Sequence, residues 1–135
     1  MKRLAILATG LVLAISLLHT PAADTKAAPG PRGPVVHVVS FKFKPETKPE
    51  QIKLVETAFA ALPGKIQQIR SFEWGTNMSP EKLNKDFTHG FVLTFKTAAD
   101  RDAYLVHPAH KEFGGIVGPV LADVFVLDFV NQNAQ

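Results

Sequence analysis

The chain has 135 residues, no cysteine, 15 basic and 12 acidic residues, for a formal net charge of +3. This length suits one small domain, and the absence of cysteine excludes disulfides, thiol catalysis and cysteine-ligated metals. So small a net charge gives no reason to expect a nucleic acid or an anionic membrane as a partner.

The first 22 residues have the order of a secretory signal peptide. A basic start at Lys2 and Arg3 precedes an uncharged apolar run over residues 4–18, and small residues follow around Ala22. A membrane-spanning helix needs roughly 20 apolar residues, so a retained anchor is the less favoured alternative. We therefore predict a signal peptide over residues 1–22, export to the periplasm or the exterior, and no membrane association after cleavage.

The rest of the chain divides into a spacer, a domain and a tail. Residues 23–34 are rich in alanine, proline and glycine and lack an apolar period, which predicts a flexible linker. Residues 35–130 are predicted to form the folded domain, and residues 131–135 a C-terminal tail. An exported protein without disulfides depends on its core or on a partner chain for its stability.

The domain opens with a strand and a helix. The sequence "VVHVVSFKFK" alternates from its third residue and places His37 on a Phe-rich face, as a strand does. Pro49 suits the first turn of a helix, which Pro63 and Gly64 end. The apolar positions of this helix are Ile52, Val55, Phe59 and Leu62.

Two further strands follow, joined by a polar loop. The sequence "IRSFEWGT" predicts a short strand with Phe72 and Trp74 on one face. Residues 77–86 are polar and contain a proline, so we expect a loop there. The sequence "FTHGFVLTFK", residues 87–96, predicts a third strand with His89 on its Phe-rich face.

The last third of the domain predicts a helix, a weaker helical piece and a strand. Thr97 can cap a helix through "AADRDAYLV". The sequence "PAHKEFGGIVGPV" is expected to be a shorter helix or a turn, weakened by Gly114 and Gly115. The final strand is "ADVFVLDFV", which is apolar on both sides.

This order of elements predicts an α+β, ferredoxin-like split βαβ subunit, in which two helices cover one face of a four-stranded antiparallel sheet. Both faces of the sheet carry apolar residues, and an uncovered apolar face is a liability. We therefore predict a homodimer in which two sheets close face to face into an α/β barrel. The alternative is a lone sheet that tolerates partial exposure.

The stretch "DAYLVHPAHKEF" places Tyr104, His107 and His110 at three-residue steps. Pro108 disfavours helical geometry at His107, so the chain is expected to turn there. His110 then lies over the end of the sheet or in a cavity beneath it. A histidine beside a tyrosine hydroxyl in an apolar cavity can act as a general base. The alternative is a surface turn in which both imidazoles bond backbone carbonyls.

The other two histidines of the domain lie on strands that the predicted topology makes neighbours. His37 and His89 share the Phe-rich side of the sheet, towards its opposite ends, and each has a structural alternative as a core or loop-bonded histidine. A metal site would use His107 and His110 with one of these two. The sequence has no HExxH motif and no dense carboxylate set nearby, so we predict no metal.

Four motifs, "HVVSFKFK", "FEWGTN", "FTHGFVLTF" and "YLVHPAHKEF", together resemble the stress-responsive dimeric α/β-barrel (Dabb) family. The resemblance covers nearly all of residues 35–130. It implies a ferredoxin-like subunit that pairs into a barrel.

The family includes a plant polyketide cyclase that performs an intramolecular aldol condensation without a metal or an organic cofactor. The resemblance places its catalytic pair on Tyr104 and His110, and a further pocket histidine on His37. A pocket tyrosine of the cyclase falls on Phe59, so this chain lacks one hydroxyl there.

We predict an exported homodimer that binds a small apolar or aromatic molecule, without a cofactor, in a pocket rimmed by histidine and tyrosine. The residues predicted to contact the ligand are His37, His89, His107, Phe59 and Trp74. The alternative is a cofactor-free cyclase-like or isomerase-like enzyme. In that case His110 is the general base and Tyr104 stabilises the oxyanion.

Overall fold

A computed structural model describes residues 33–134 of the chain. The predicted signal peptide, most of the predicted linker and Gln135 lie outside the described residues. The described helices and strands are β1 (Val35–Phe43), α1 (Pro49–Ala60), β2 (Ile69–Thr76), β3 (His89–Phe95), α2 (Ala98–Val106), α3 (Pro108–Val117) and β4 (Leu121–Val130). Short 3-10 turns lie at Leu62–Gly64, Gly118–Val120 and Gln132–Ala134. Within this part of the chain, no helix is long and apolar enough to cross a bilayer.

The four strands form one antiparallel sheet in the order β2-β3-β1-β4. This order confirms the predicted ferredoxin-like fold, including the prediction that the first and third strands are neighbours. The third strand begins at His89 rather than at Phe87, because the Phe87 N–H donates to the Asn84 carbonyl in the preceding loop.

Helix α1 forms where the sequence predicts it. Pro49 occupies the first helical position, and the Gln51 side chain accepts a hydrogen bond from the Lys48 N–H at 2.9 Å. Val55 and Phe59 on its inner face are each only 1% exposed. Burying one such side chain stabilises the fold by about 1.5–3 kcal/mol.

The core lies between the helices and the Phe-rich face of the sheet. Phe59 is its centre, with its ring centroid 4.4 Å from that of Phe91 and 4.5 Å from that of Phe113. Phe41 stacks on the same cluster from β1. Rings from α1, α3 and the two central strands therefore interlock, and they fix α3 over the sheet.

Helix α3 differs from the sequence-based expectation of a shorter helix or turn. It runs for ten residues from Pro108 to Val117, through Gly114 and Gly115. Each glycine costs a helix about 1 kcal/mol relative to alanine. Ala109, Phe113 and Val117 recur at four-residue steps and are buried, so their packing outweighs that cost.

The other face of the sheet is uncovered in the described part of the chain. Phe125, Leu127 and Phe129 of β4 are 46–48% exposed on that face. On the opposite side of the same strand, Val124 and Val126 are 47% and 52% exposed, because the helices do not reach over this edge of the sheet. Strand β4 therefore presents apolar side chains in both directions.

Candidate functional site

A cavity of about 270 Å³ lies between the sheet and the two C-terminal helices. Its walls are almost entirely apolar, and three polar side chains interrupt them. Those three are His37 from β1, Tyr104 from α2 and His110 from α3. The apolar walls include Val39, Phe41, Phe59, Phe113, Val124 and Val126. A small apolar space with a few convergent polar groups is typical of a site for small ligands.

His37 is held by a carboxylate on the neighbouring strand. The β1–β4 register places Asp128 opposite His37, so both side chains lie on the helix-facing side of the sheet. The His37 Nδ1–H donates to Asp128 Oδ1 at 2.5 Å, and Arg101 donates to the other carboxylate oxygen. Because Nδ1 is occupied by this bond, Nε2 is the nitrogen of His37 that remains for a ligand.

Tyr104 lies between the two histidines and is only 1% exposed. Its ring centroid is 5.7 Å from that of His37 and 4.3 Å from that of His110. Burial and the negative charge of Asp128 raise the pKa of Tyr104 above its usual range, so the hydroxyl keeps its proton.

The Tyr104 hydroxyl has no hydrogen-bond partner among residues 33–134. Within that range, no fully buried side-chain nitrogen or oxygen lacks a partner. The hydroxyl oxygen must therefore be accessible from the cavity, where it can donate to a ligand.

His110 reaches the cavity because the chain turns at His107. His107 has extended backbone angles, φ −63° and ψ 137°, as expected for a residue before proline. The His110 Nδ1–H donates to the Leu105 carbonyl at 3.2 Å, so Nε2 is left without a partner. Burial, followed by the nearby imidazoles, lowers the pKa of His110 despite the bond to Leu105. At neutral pH its Nε2 therefore carries a lone pair and can accept a proton.

The structure brings together His37, Phe59, Tyr104 and His110, but it leaves three predicted ligand contacts outside this cavity. His107 caps α3, because its Nδ1 accepts the Ala109 N–H at 3.1 Å.

His89 lies opposite Phe41, four residues along β1 from His37. It is bonded to Glu56 and Thr88 at the far end of the sheet. Trp74 stacks on His89 from the edge strand β2 and remains 40% exposed.

Asp128, which holds His37 at the candidate site, is a residue that the sequence analysis missed. It is the only charged residue in "VFVLDFV", and an acidic residue inside an apolar strand is a signal in itself. Its partner could not be identified, because that requires the register between β1 and β4. Arg101 was overlooked for the same reason.

A larger groove of about 760 Å³ runs along the uncovered face of the sheet, beneath the β2–β3 loop. Exposed apolar side chains of that loop, Met78 and Leu83, form part of its wall. The groove is wide open and lies on the face where a second sheet is expected. The smaller cavity is therefore the better candidate site, because it is less open to solvent and holds the unpaired polar groups of His37, Tyr104 and His110. Within residues 33–134, no three histidine or carboxylate side chains are grouped to hold a metal ion.

Comparison with known proteins gives one consistent result. The family model described as the stress responsive A/B barrel domain matches residues 35–131. The stress-response A/B barrel domain-containing protein HS1 of Arabidopsis thaliana is 37% identical over 98 residues, which cover 73% of this chain and 90% of that protein. Olivetolic acid cyclase of Cannabis sativa is 24% identical over 95 residues, covering 70% of this chain and 94% of the cyclase.

Solved structures share the same architecture. The crystal structure of an Arabidopsis thaliana protein aligns with a TM-score of 0.69 and 34% identity, covering 75% of this chain and 98% of that one. A dimeric protein of ferredoxin-like fold from Bacteroides fragilis aligns with a TM-score of 0.62 and 29% identity, over 74% of this chain and 98% of that one.

Proposed function

This chain belongs to the stress-responsive A/B barrel domain family, and from that premise we propose that it is a small-molecule-binding subunit of an exported homodimer. The ligand is a small apolar or aromatic molecule held in the cavity between the sheet and α2 and α3. Neither a metal nor an organic cofactor is part of this proposal.

One observation carries the proposal. Three polar groups without protein partners in the described region, the Tyr104 hydroxyl and the Nε2 atoms of His37 and His110, open into one apolar cavity. Polar groups left unpaired in an apolar site are costly unless a ligand or water bonds them. Their convergence therefore favours a binding site over a region that only packs.

The experiment is a thermal-shift screen of the purified protein against phenols, small ketones and fatty acids. A ligand that binds only the folded state at about 100 times its Kd adds about 2.7 kcal/mol of stability. We expect a hit whose shift falls in Tyr104→Phe and in His110→Gln but is unchanged in Lys111→Gln. Lys111 is an exposed neighbour on the same helix and serves as the matched control. The proposed site is contradicted if no compound shifts the melting temperature, or if a hit gives the same shift in all three variants as in the wild-type protein.

A second candidate function is supported by the neutral state of His110. In a cofactor-free enzyme, its Nε2 would take a proton from the carbon next to a carbonyl. The electron pair of that C–H bond then moves to the carbonyl oxygen as an enolate, which the Tyr104 O–H stabilises. The enolate attacks a second carbonyl or is protonated again at carbon, as in a cyclase or an isomerase. Olivetolic acid cyclase is a relative whose name describes such a ring closure.

This second function is tested by NMR in D₂O. Enzymatic proton abstraction exchanges the α-hydrogens of a bound ketone for deuterium, and His110→Gln should abolish the exchange while the ketone still binds. If a bound ketone shows no exchange in the wild-type protein, the chain is a binding protein and not an enzyme of this class.

Export is proposed from the basic start, apolar run and small residues of the first 22 residues. It is tested by expressing the full chain in a bacterium and determining the mass of the product in the periplasm or the medium. A product that begins near Ala23 supports export, and an uncleaved chain in the membrane fraction supports the anchor instead.

A further inference from the structure

We infer that the ligand of the cavity is an uncharged molecule that carries an alcohol or phenol hydroxyl on an apolar body. This inference rests on the proposed binding function and specifies the chemical class that the same site selects. It follows from which unpaired groups donate and which accept a hydrogen bond, from the absence of acidic and basic side chains in the lining, and from the apolar surface of the walls.

The free polar groups require a partner that both donates and accepts. The His110 Nδ1–H is committed to the Leu105 carbonyl, so the neutral imidazole offers only an acceptor at Nε2. The Tyr104 hydroxyl keeps its proton and offers a donor. No hydrogen bond joins Tyr104 to His110, although their ring centroids are 4.3 Å apart.

A ligand hydroxyl satisfies both groups at once, because it donates to His110 Nε2 and accepts from Tyr104. An ether or a ketone could accept from Tyr104 but would leave the Nε2 acceptor unpaired in an apolar site. The His37 Nε2 also faces the cavity without a protein partner in the described residues, since Nδ1 is bonded to Asp128. The acceptor at His110 Nε2 therefore favours a ligand that brings an O–H hydrogen.

The lining disfavours a charged ligand. None of the side chains around the cavity is a lysine, arginine, aspartate or glutamate. Arg101, the cation bonded behind His37, already donates to Asp102 and Asp128. The negative charge of Asp128 also contributes to the raised pKa of Tyr104. A carboxylate would lose its hydration without gaining a counter-ion, and a protonated amine would find no free carboxylate oxygen.

The walls fit an aromatic or alkyl body. Phe41, Phe59 and Phe113 supply aromatic surface behind the polar groups. Val124 and Val126 line the outer side at the edge of the sheet, where each is about half exposed. A substituent on the ligand can therefore extend outwards over Val124 and Val126 and remain in contact with apolar side chains.

The test compares three molecules of one shape by calorimetry at pH 8: para-propylphenol, its methyl ether para-propylanisole, and para-propylbenzoate. We expect the phenol to bind at least tenfold more tightly than either of the others. The ether is the more hydrophobic probe, so a site that selects only for apolarity would prefer it. Methyl NMR shifts of Val124 and Val126 locate the bound probe.

The variants separate this inference from the proposed function. The preference for the phenol over the ether should fall severalfold in Tyr104→Phe and in His110→Gln, and it should persist in Lys111→Gln. Equal binding of all three probes in the cavity, or tighter binding of the benzoate, overturns the inference and leaves the binding function standing. If none of the three binds and the wider screen also gives no hit, the binding function itself fails, and this inference fails with it.

Discussion

At the residue scale, the orientation of His37 depends on Asp128. Asp128→Ala leaves the buried Nδ1–H of His37 without an acceptor and removes a partner of Arg101. Unpairing a buried donor costs about 1–3 kcal/mol. We expect a loss of that size in the free energy of unfolding, measured by urea denaturation, together with weaker ligand binding. Asp123→Ala, at an exposed site on the same strand, is the control, and an equal loss in both variants would contradict the role of Asp128.

His110 gives a second prediction at the residue scale. Burial lowers its pKa in the folded state, so the unfolded chain binds the proton more readily. The contribution of neutral His110 to stability and to ligand binding is therefore complete above the ordinary histidine value, about 6.5, and is lost as the pH falls through the lower folded value. An NMR titration of the imidazole should show a midpoint below about 6.5. A midpoint at or above that value would be inconsistent with a buried acceptor.

At the element scale, α3 holds two glycines that its packing tolerates. A methyl group at Gly114 or Gly115 would meet no atom within 4 Å. Each change to alanine should stabilise the protein by about 0.5–1 kcal/mol, because alanine favours the helix and restricts the unfolded chain. Gly114 lines the cavity and Gly115 does not, so only Gly114→Ala should also alter ligand affinity. Thermal unfolding of the two variants checks the expected gain in stability, and calorimetry checks the ligand affinity. Destabilisation by Gly115→Ala would contradict the first expectation.

The elements also show what the sequence could predict. The strands and α1 carry clear periods of two and of about three and a half residues, and they lie where those periods place them. The length of α3 was underestimated because helix propensity depends on neighbouring residues in the sequence, whereas Phe113 packs against Phe41 and Phe59 from distant elements. The His37–Asp128 contact was beyond prediction because it depends on the register between β1 and β4, which are far apart in the sequence. Tyr104 and His110 were first indicated by their spacing in the sequence, and the family resemblance then singled out this pair.

At the scale of the whole molecule, the uncovered face of the sheet predicts a second copy. The Bacteroides fragilis relative is described as dimeric, and its ferredoxin-like fold is the same. Leu127→Lys places a charge between Phe125 and Phe129 on the exposed apolar face of β4 and should convert the dimer to a monomer in sedimentation velocity. Leu54→Lys replaces a leucine that is 56% exposed on α1 and should leave the mass unchanged. A wild-type protein that sediments as a monomer at every concentration would rule out the barrel.

Strand β4 serves two neighbours, since Val124 and Val126 face the cavity while Phe125 and Leu127 face outwards from the sheet. A partner subunit that orders β4 from one side lowers the free-energy cost of ordering it for a ligand on the other side. Such coupling between two binding events is reciprocal by thermodynamic necessity. We therefore expect ligand affinity to fall when the protein is diluted below its dimer dissociation constant, and the ligand to tighten self-association by the same factor. Ligand titrations at two protein concentrations would measure this coupling. Identical ligand affinities would show that dimerisation and ligand binding are independent. If the coupling holds, the local concentration of the protein sets how firmly it retains its ligand, and dilution alone releases it.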